Sequence, residues 1–220
     1  MKHANRFVGP LLICLLAGCA TFDAGGQFAS GRRALLAGDS ETALGYFLGA
    51  AQRDPNYVYI AANFKQGVWT YVGRAQYLTK RYKEARESLE RALEKDRYDY
   101  MAQLYLGLTL ARTGDLSRGV KEIETAMKGI FDFLEYTERT RPFQAFWDPL
   151  REMRKAIDTD LQSIGGKDFN PETLITDAEW LGKRMEEEID NVRRDERRQF
   201  ERDFDRGRGS GGSVGFGIGF

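Results

Sequence analysis

Three segments of this chain repeat one order of small and large apolar residues, at an interval of about 34 residues. The clearest copy, residues 66–100, places these residues at helical steps of three and four: Trp69, Gly73, Ala85, Leu89 and Ala92. This spacing predicts two short helices that pack against each other. A glycine or alanine at the crossing lets the two backbones approach, and the neighbouring large side chain fills the groove beside it.

The same order recurs on both sides of this segment. The later copy carries Gly107, Ile123 and Ala126, with Gly119 where the middle copy has Ala85. The earlier copy carries a matching set: Gly31, Ala43, Phe47 and Ala50. Extra residues around Tyr57 to Phe64 lengthen the interval between the first two copies. We therefore predict three consecutive helical hairpins over residues 27–130.

The pattern resembles the tetratricopeptide repeat (TPR) family, whose first helix carries an aromatic residue or Leu followed by Gly. The second helix of that family carries Ala, a large residue and Ala, often before a Pro. Trp69 keeps the aromatic position in the middle copy, and Pro55 closes the first copy. The resemblance covers Phe28 to Gly129. It implies an all-α, TPR-like α-solenoid of about three helical hairpins, with protein partners rather than a substrate.

The first eighteen residues are typical of a secretory signal. Lys2 and Arg6 precede an apolar segment from Phe7 to Leu16, which is too short to span a bilayer. The tetrad Leu16-Ala17-Gly18-Cys19 resembles the bacterial lipobox. An ordinary cleaved signal with an incidental cysteine is the alternative.

The lipobox resemblance implies cleavage before Cys19 and acylation of that residue. Several acyl chains on one residue would anchor the protein stably to a membrane. Ala20 stands where a lipoprotein retained in the inner membrane often has Asp, so the resemblance implies the outer membrane, on its periplasmic face. Residues 19–26 are then predicted to be a lipidated tether.

Removal of residues 1–18 would leave a chain without histidine, whose one cysteine carries lipid. That composition excludes Cys/His and Ser/His/Asp catalysis, disulfides and most metal sites, so we expect no cofactor, no metal and no enzymatic activity. The whole chain has 33 basic and 33 acidic residues. This balance argues against a nucleic-acid partner.

Aromatic residues cluster where the first two copies join, and Tyr57 and Tyr59 can be interpreted in two ways. They could line the concave, partner-binding side of a repeat array. They could instead fill space at a junction that the insertion has widened, and this structural interpretation is favoured. Both stay candidate partner contacts.

Residues 131–206 are predicted to form a C-terminal helical cap and a long charged helix. Aromatic residues from Phe131 to Trp147 would cover the last hairpin, with Trp147 in a partner-binding pocket as the alternative. Asp148-Pro149 and Asn170-Pro171 are each predicted to begin a helix. The charged helix would project from the body and expose Phe200 and Phe204 to a partner.

Residues 207–220 are predicted to be a Gly-rich tail. Its end alternates Gly with apolar residues, which is a strand pattern, and it resembles the C-terminal signal of outer-membrane β-barrel strands. A disordered tail is the alternative. If the segment docks, the contact residues would be Phe216, Ile218 and Phe220.

Three functions remain open from the sequence. The first is a non-enzymatic envelope adaptor or scaffold in assembly, secretion or pilus biogenesis. The second is a structural tether that docks through its tail. The third is a cell-wall hydrolase with paired carboxylates such as Glu186 and Glu188, or Asp195 and Glu196. Adjacent acids on one helix are expected to point apart and stay solvated, which disfavours the hydrolase.

Overall fold

The computed structural model describes residues 24–140, 147–167 and 169–209. Within these ranges the protein is mostly helical, with eight α-helices and one β-hairpin. In chain order the elements are α1 (residues 24–36), α2 (Ser40–Arg53), β1 (Val58–Ala61), β2 (Phe64–Gly67), α3 (Val68–Leu78), α4 (Tyr82–Lys95), α5 (Tyr100–Arg112), α6 (Leu116–Thr140), α7 (Glu152–Ser163) and α8 (Pro171–Gly209).

From α2 to α6, each helix packs against the next helix along the chain. α3 also packs against α5, so alternate helices touch as well. α8 then returns to contact α5, α6, α7 and β1. The apolar interior consists of two clusters, one shared by α1, α2 and α3 and a larger one formed by the later elements.

Glycines mark the closest approaches between paired helices. A Cβ atom on Gly31 would lie 2.6 Å from the Phe47 ring, and one on Gly107 would lie 2.8 Å from the Gly119 carbonyl oxygen. A Cβ on Gly73 would lie 2.5 Å from Leu89 Cγ. The structure also buries the other small or apolar residues of the three copies: Ala43, Ala50, Ala85, Ala92, Ile123 and Ala126.

Trp69 is the exception among the repeat residues, because it is only partly buried. Its indole N–H donates a hydrogen bond to the Pro55 carbonyl, 3.0 Å away. The guanidinium carbon of Arg91 lies 3.7 Å from the centre of its ring. Trp69 thus joins the loop after α2 to α3 and α4.

The extra residues between the first two copies form a β-hairpin, which the sequence interpretation did not include. Its strands pair Tyr59 with Gln66 and Ala61 with Phe64. Ala62 and Asn63 make the turn, with φ values of 44° and 69°. Two adjacent residues with positive φ are typical of a two-residue hairpin turn. The usual Asn-Gly signal for such a turn is absent here.

Two predicted boundaries differ from the structure. α6 continues without a break through residue 131, where the cap was expected to begin. α7 starts at Glu152 rather than after Asp148, because Asp148 has a φ of 50°. The Asp148 carboxylate still accepts hydrogen bonds from the backbone N–H groups of Met153 and Arg154, at 3.1 and 3.0 Å.

The ends of the predicted tether and tail also differ from expectation. Residues 24–26 belong to α1, and residues 207–209 belong to α8. The start of α8 agrees with the sequence, because Asn170 accepts a hydrogen bond from the Glu172 N–H at 2.9 Å and the helix begins at Pro171.

Replacement of Gly107 by Ala should destabilise the protein by about 2 kcal/mol, because the new Cβ would press on the backbone of α6. This loss outweighs the higher helix propensity of Ala. The matched control is Gly45→Ala in α2, where nothing lies within 4 Å of the added Cβ; it should stabilise by about 0.5–1 kcal/mol. Urea unfolding of both variants measures the difference, and equal effects would contradict close packing at Gly107.

Asp99 at the start of α5 should make stability depend on pH. Burial raises the pKa of this carboxyl to about 6, although Thr70 and the backbone N–H groups of Ala102 and Gly67 donate hydrogen bonds to it, and the charge of Asp96 raises the pKa further. The folded state therefore binds the proton more tightly than the unfolded state. The free energy of unfolding should fall by about 3 kcal/mol as pH rises from about 4 to about 6.

Asp99→Asn should remove most of this decrease in the free energy of unfolding. Asp115→Asn is the control, because it deletes a carboxylate from the exposed start of α6 and should keep the wild-type slope. Urea unfolding at a series of pH values measures both. A wild-type slope in Asp99→Asn would exclude this carboxyl as the cause.

Candidate functional site

Helix α8 contacts the first helix of each of the three helical pairs, α1/α2, α3/α4 and α5/α6. Its ionic contacts reach Arg32 on α1, Arg74 on α3 and Arg112 on α5. The side of α8 that faces inward is an apolar stripe with almost no exposed surface: Leu174, Ala178, Leu181, Met185, Ile189 and Val192. The face formed by α1, α3 and α5 is therefore largely covered by the chain's own C-terminal helix.

The contact between α8 and α5 requires a glycine. A Cβ atom on Gly182 would lie 2.6 Å from the hydroxyl oxygen of Tyr105. The Gly182 carbonyl accepts a hydrogen bond from Nη2 of Arg74 at 3.0 Å. At this point the Tyr105 ring of α5 and the Arg74 guanidinium of α3 both contact the backbone of α8.

A buried ionic network fixes α8 to α1 and α3. Nε of Arg32 donates to one oxygen of Glu186 at 2.6 Å, and Nη1 of Arg74 donates to the other at 2.8 Å. Nη2 of Arg32 also pairs with Asp190 at 2.9 Å. Arg32, Arg74 and Glu186 are each at most 5% exposed. Two cations thus face two carboxylates, and the charges of the network cancel.

The environment of Arg74 keeps it protonated. Burial by itself lowers the pKa of a guanidinium, but neighbouring Tyr105 and Glu186 raise it, and the pKa is raised overall. The Arg74 guanidinium also lies 5.2 Å from the centre of the Tyr105 ring. One N–H of this side chain, at Nε, has no hydrogen-bond partner among the described residues.

The expectation that Glu186 and Glu188 stay solvated is wrong, since both are 2% exposed. They do point apart. Glu186 faces the two arginines, whereas Glu188 accepts a hydrogen bond from the backbone N–H of Asp148 at 2.9 Å. Glu186 directly follows Met185 of the buried stripe, and a buried acid requires a cation or donor opposite it. Asp195 and Glu196 are partly exposed.

Tyr59 is a partner of this network. Its hydroxyl accepts hydrogen bonds from Arg32 at 2.7 Å and from Arg193 at 2.8 Å. Tyr57 packs against Phe28, with 5.0 Å between ring centres. The structure thus places both tyrosines in internal contacts, in line with their structural interpretation.

The other candidate partner residues lie in separate places. Trp147 is 3% exposed and packs edge-on against Phe133, so its ring is enclosed, contrary to a role in an open pocket. Phe200 and Phe204 are 72% and 54% exposed, with 6.5 Å between their ring centres. Cys19, Phe216, Ile218 and Phe220 lie outside the described residues.

Two clefts remain open where α8 runs beside α1. The larger, of about 960 Å³, has Arg74 and Tyr77 among its lining residues, with Trp180 and Lys183 contributed by α8. The smaller, of about 360 Å³, lies between α1, the hairpin and α8. Leu36 lines both clefts. We call the two together the α1–α8 groove.

At the far end of the larger cleft, Glu179 accepts a hydrogen bond from the Tyr77 hydroxyl and pairs with Arg112 at 3.1 Å. Burial, followed by the hydrogen bond to Glu179, raises the pKa of Tyr77, so this phenol stays protonated. The groove's acids are therefore engaged by donors of the protein itself.

The sequence did not identify Arg32 and Arg74 as site residues. A signal existed for Arg74, which lies between Gly73 and Ala75 in the mostly apolar segment 68–78. An arginine at such a position is almost never buried without a partner. The partner lies more than one hundred residues away, and pattern alone does not specify it.

Among the described residues, no group of three or more His, Cys, Asp and Glu side chains could hold a metal ion. The helices of the described ranges are each too short or too polar to cross a bilayer. Comparison with protein-family models gives no match, and comparison with curated proteins gives none either.

Glu186→Gln should destabilise the protein by about 3 kcal/mol, because Arg74 would keep its charge in a buried site without a carboxylate. Glu187→Gln is the matched control on the same helix. Glu187 is more exposed and pairs with Arg184 at 3.3 Å, so its loss should cost below about 1 kcal/mol. Chemical unfolding separates the two, and similar losses would show that the network contributes no more than a surface pair.

Proposed function

We propose that the protein is a non-enzymatic, lipid-anchored scaffold of the bacterial envelope, built on a TPR-like α-solenoid that holds protein partners. The observation that carries this proposal is the threefold recurrence of one helix crossing. Gly31 meets Phe47, Gly73 meets Leu89 and Gly107 meets Ile123, each time with the glycine on the first helix of a pair. Regular stacking of such pairs produces extended surfaces suited to protein binding.

The envelope location rests on the N-terminal residues. Cys19 and the three residues before it match the lipobox, and Ala20 favours the outer membrane. α1 already includes residue 24, so an anchor at Cys19 would hold the helical body close to the bilayer. A scaffold in this position suits assembly, secretion or pilus biogenesis at the periplasmic face.

A structural tether is the second candidate, favoured by the exposed Phe200 and Phe204 near the end of α8. In that case the C-terminal residues would make the functional contact. A hydrolase is the weakest candidate, because Glu186 is held between two arginines and Glu188 binds a backbone N–H. Neither carboxylate is placed to transfer a proton to a substrate.

Photocrosslinking in cells tests the scaffold. A photoreactive residue at Leu36 or Trp180, in the α1–α8 groove, should capture the same defined protein, whereas one at exposed Lys121 on α6 should not. Mass spectrometry identifies the captured protein. No captured protein from either groove position, together with cleavage of cell-wall fragments by the purified protein, would reject the scaffold.

Two variants in the same experiment examine the anchor and the tether. Cys19→Ala should move the protein from the membrane fraction to the soluble fraction. Deletion of residues 210–220 should leave groove crosslinks intact if the protein is a scaffold. Loss of function on that deletion, with groove substitutions tolerated, would favour the tether.

A further inference from the structure

The α1–α8 groove carries an excess of positive charge in a protein that is neutral as a whole. Two acidic side chains line it, Glu179 and Asp190. Seven basic side chains line it: Arg32, Arg33, Arg74, Lys80, Arg112, Lys183 and Arg193. The chain has equal numbers of basic and acidic residues, so this imbalance is a property of the groove.

Three of the groove's cations are neutralised from within the protein. Glu186 pairs with Arg32 and Arg74, and Glu179 pairs with Arg112. The other four cations of the groove are paired weakly or not at all. Arg33, Lys80 and Arg193 form no ion pair with any residue that the structure describes, and Lys183 approaches Glu187 only at 3.8 Å. The surplus charge therefore lies at the rim, where a ligand can reach it.

Exposed apolar side chains line the larger cleft together with Lys80 and Lys183. Leu36, Leu78 and Trp180 are 40%, 42% and 39% exposed, and all three line the larger cleft. Arg74 also lines this cleft, and its Nε–H has no acceptor in the part of the chain that the structure describes. A buried donor without an acceptor is costly, and a ligand oxygen that reached it would remove that cost.

We propose that the α1–α8 groove binds an acidic segment of a partner protein whose carboxylates alternate with apolar side chains. This proposal rests on the scaffold function and adds the chemistry of the partner. The thirteen residues of α1 give the groove a length of about 20 Å, which an extended peptide of about six residues spans. Carboxylates would pair with the rim cations, and apolar side chains would pack against Leu36, Leu78 and Trp180.

A nucleic acid is also anionic, but the groove suits it less. Non-specific binding of a single strand uses a continuous cationic track with aromatic rings for successive bases. Here the exposed apolar side chains of the larger cleft are two leucines and one tryptophan. The peptide matches both the charge and the apolar surface.

Fluorescence anisotropy on the full-length protein, purified in a non-ionic detergent, tests the proposal. The probe is a short fluorescein-labelled peptide of alternating glutamate and leucine, and its reference is the same peptide with glutamine for glutamate. The glutamate peptide should bind at least about tenfold more tightly. Its affinity should fall as salt is added, because salt screens exposed charges.

The double variant Arg33→Glu with Lys183→Glu should weaken binding of the glutamate peptide by about tenfold or more. Its control is Lys83→Glu with Lys121→Glu, which makes the same change in net charge at exposed positions outside the groove. Circular dichroism and thermal unfolding show whether both variants are folded. Equal effects of the two pairs, or equal binding of the glutamine peptide, would overturn the proposal.

Two further outcomes are informative. Tighter binding of single-stranded oligothymidylate, lost in the groove variant alone, would overturn the peptide in favour of nucleic acid. Captured protein at Leu36 or Trp180 in cells, without binding of the glutamate peptide, would reject the acidic chemistry and leave the scaffold standing. Binding of the peptide without a captured protein would support the groove chemistry and count against the scaffold.

Discussion

The rest of the structure depends on the position of Glu186 between Arg32 and Arg74. A carboxylate and two guanidiniums are buried there, and each would be costly alone. They pair with one another only when α8 lies in one register against α1 and α3. Apolar contacts from Met185 and Ile189 supply driving force for burial but tolerate small shifts along the helix. The ionic network does not tolerate such shifts. We therefore infer that the network selects the register, while the apolar stripe contributes most of the stability.

That register has a consequence for the exposed surface. Because α8 fills most of the face formed by α1, α3 and α5, a partner has no access to the buried part of that face. The groove beside α1 stays open at the edge of this face. Since Glu186 and Asp190 are used within the protein, they do not compensate Arg33, Lys80 or Arg193 at the rim. Internal pairing thus leaves an external surplus of positive charge.

Local patterns predicted the helices well, because the relevant information lies within a few turns of helix. Gly73 and Leu89 pack within one hairpin, and Asn170 caps the helix that follows it immediately. The stripe on α8 was also readable, since its period of three and four does not depend on the neighbour it covers. The β-hairpin was missed because Ala62 and Asn63 adopt positive φ without the glycine that normally signals such a turn.

The site was less predictable for a different reason. Whether Glu186 is solvated or buried depends on residues 154 and 112 positions away along the chain, at Arg32 and Arg74. Adjacent acids on a helix give the same local pattern in both cases. Charge composition was similarly uninformative, since an overall balance of basic and acidic residues coexists with a groove in which seven cations face two acids. An equal number of basic and acidic residues therefore excludes a large electrostatic field of one sign around the whole protein. It does not exclude a local cationic site, because buried acids can pair inside the protein while cations stay exposed at the rim of a groove.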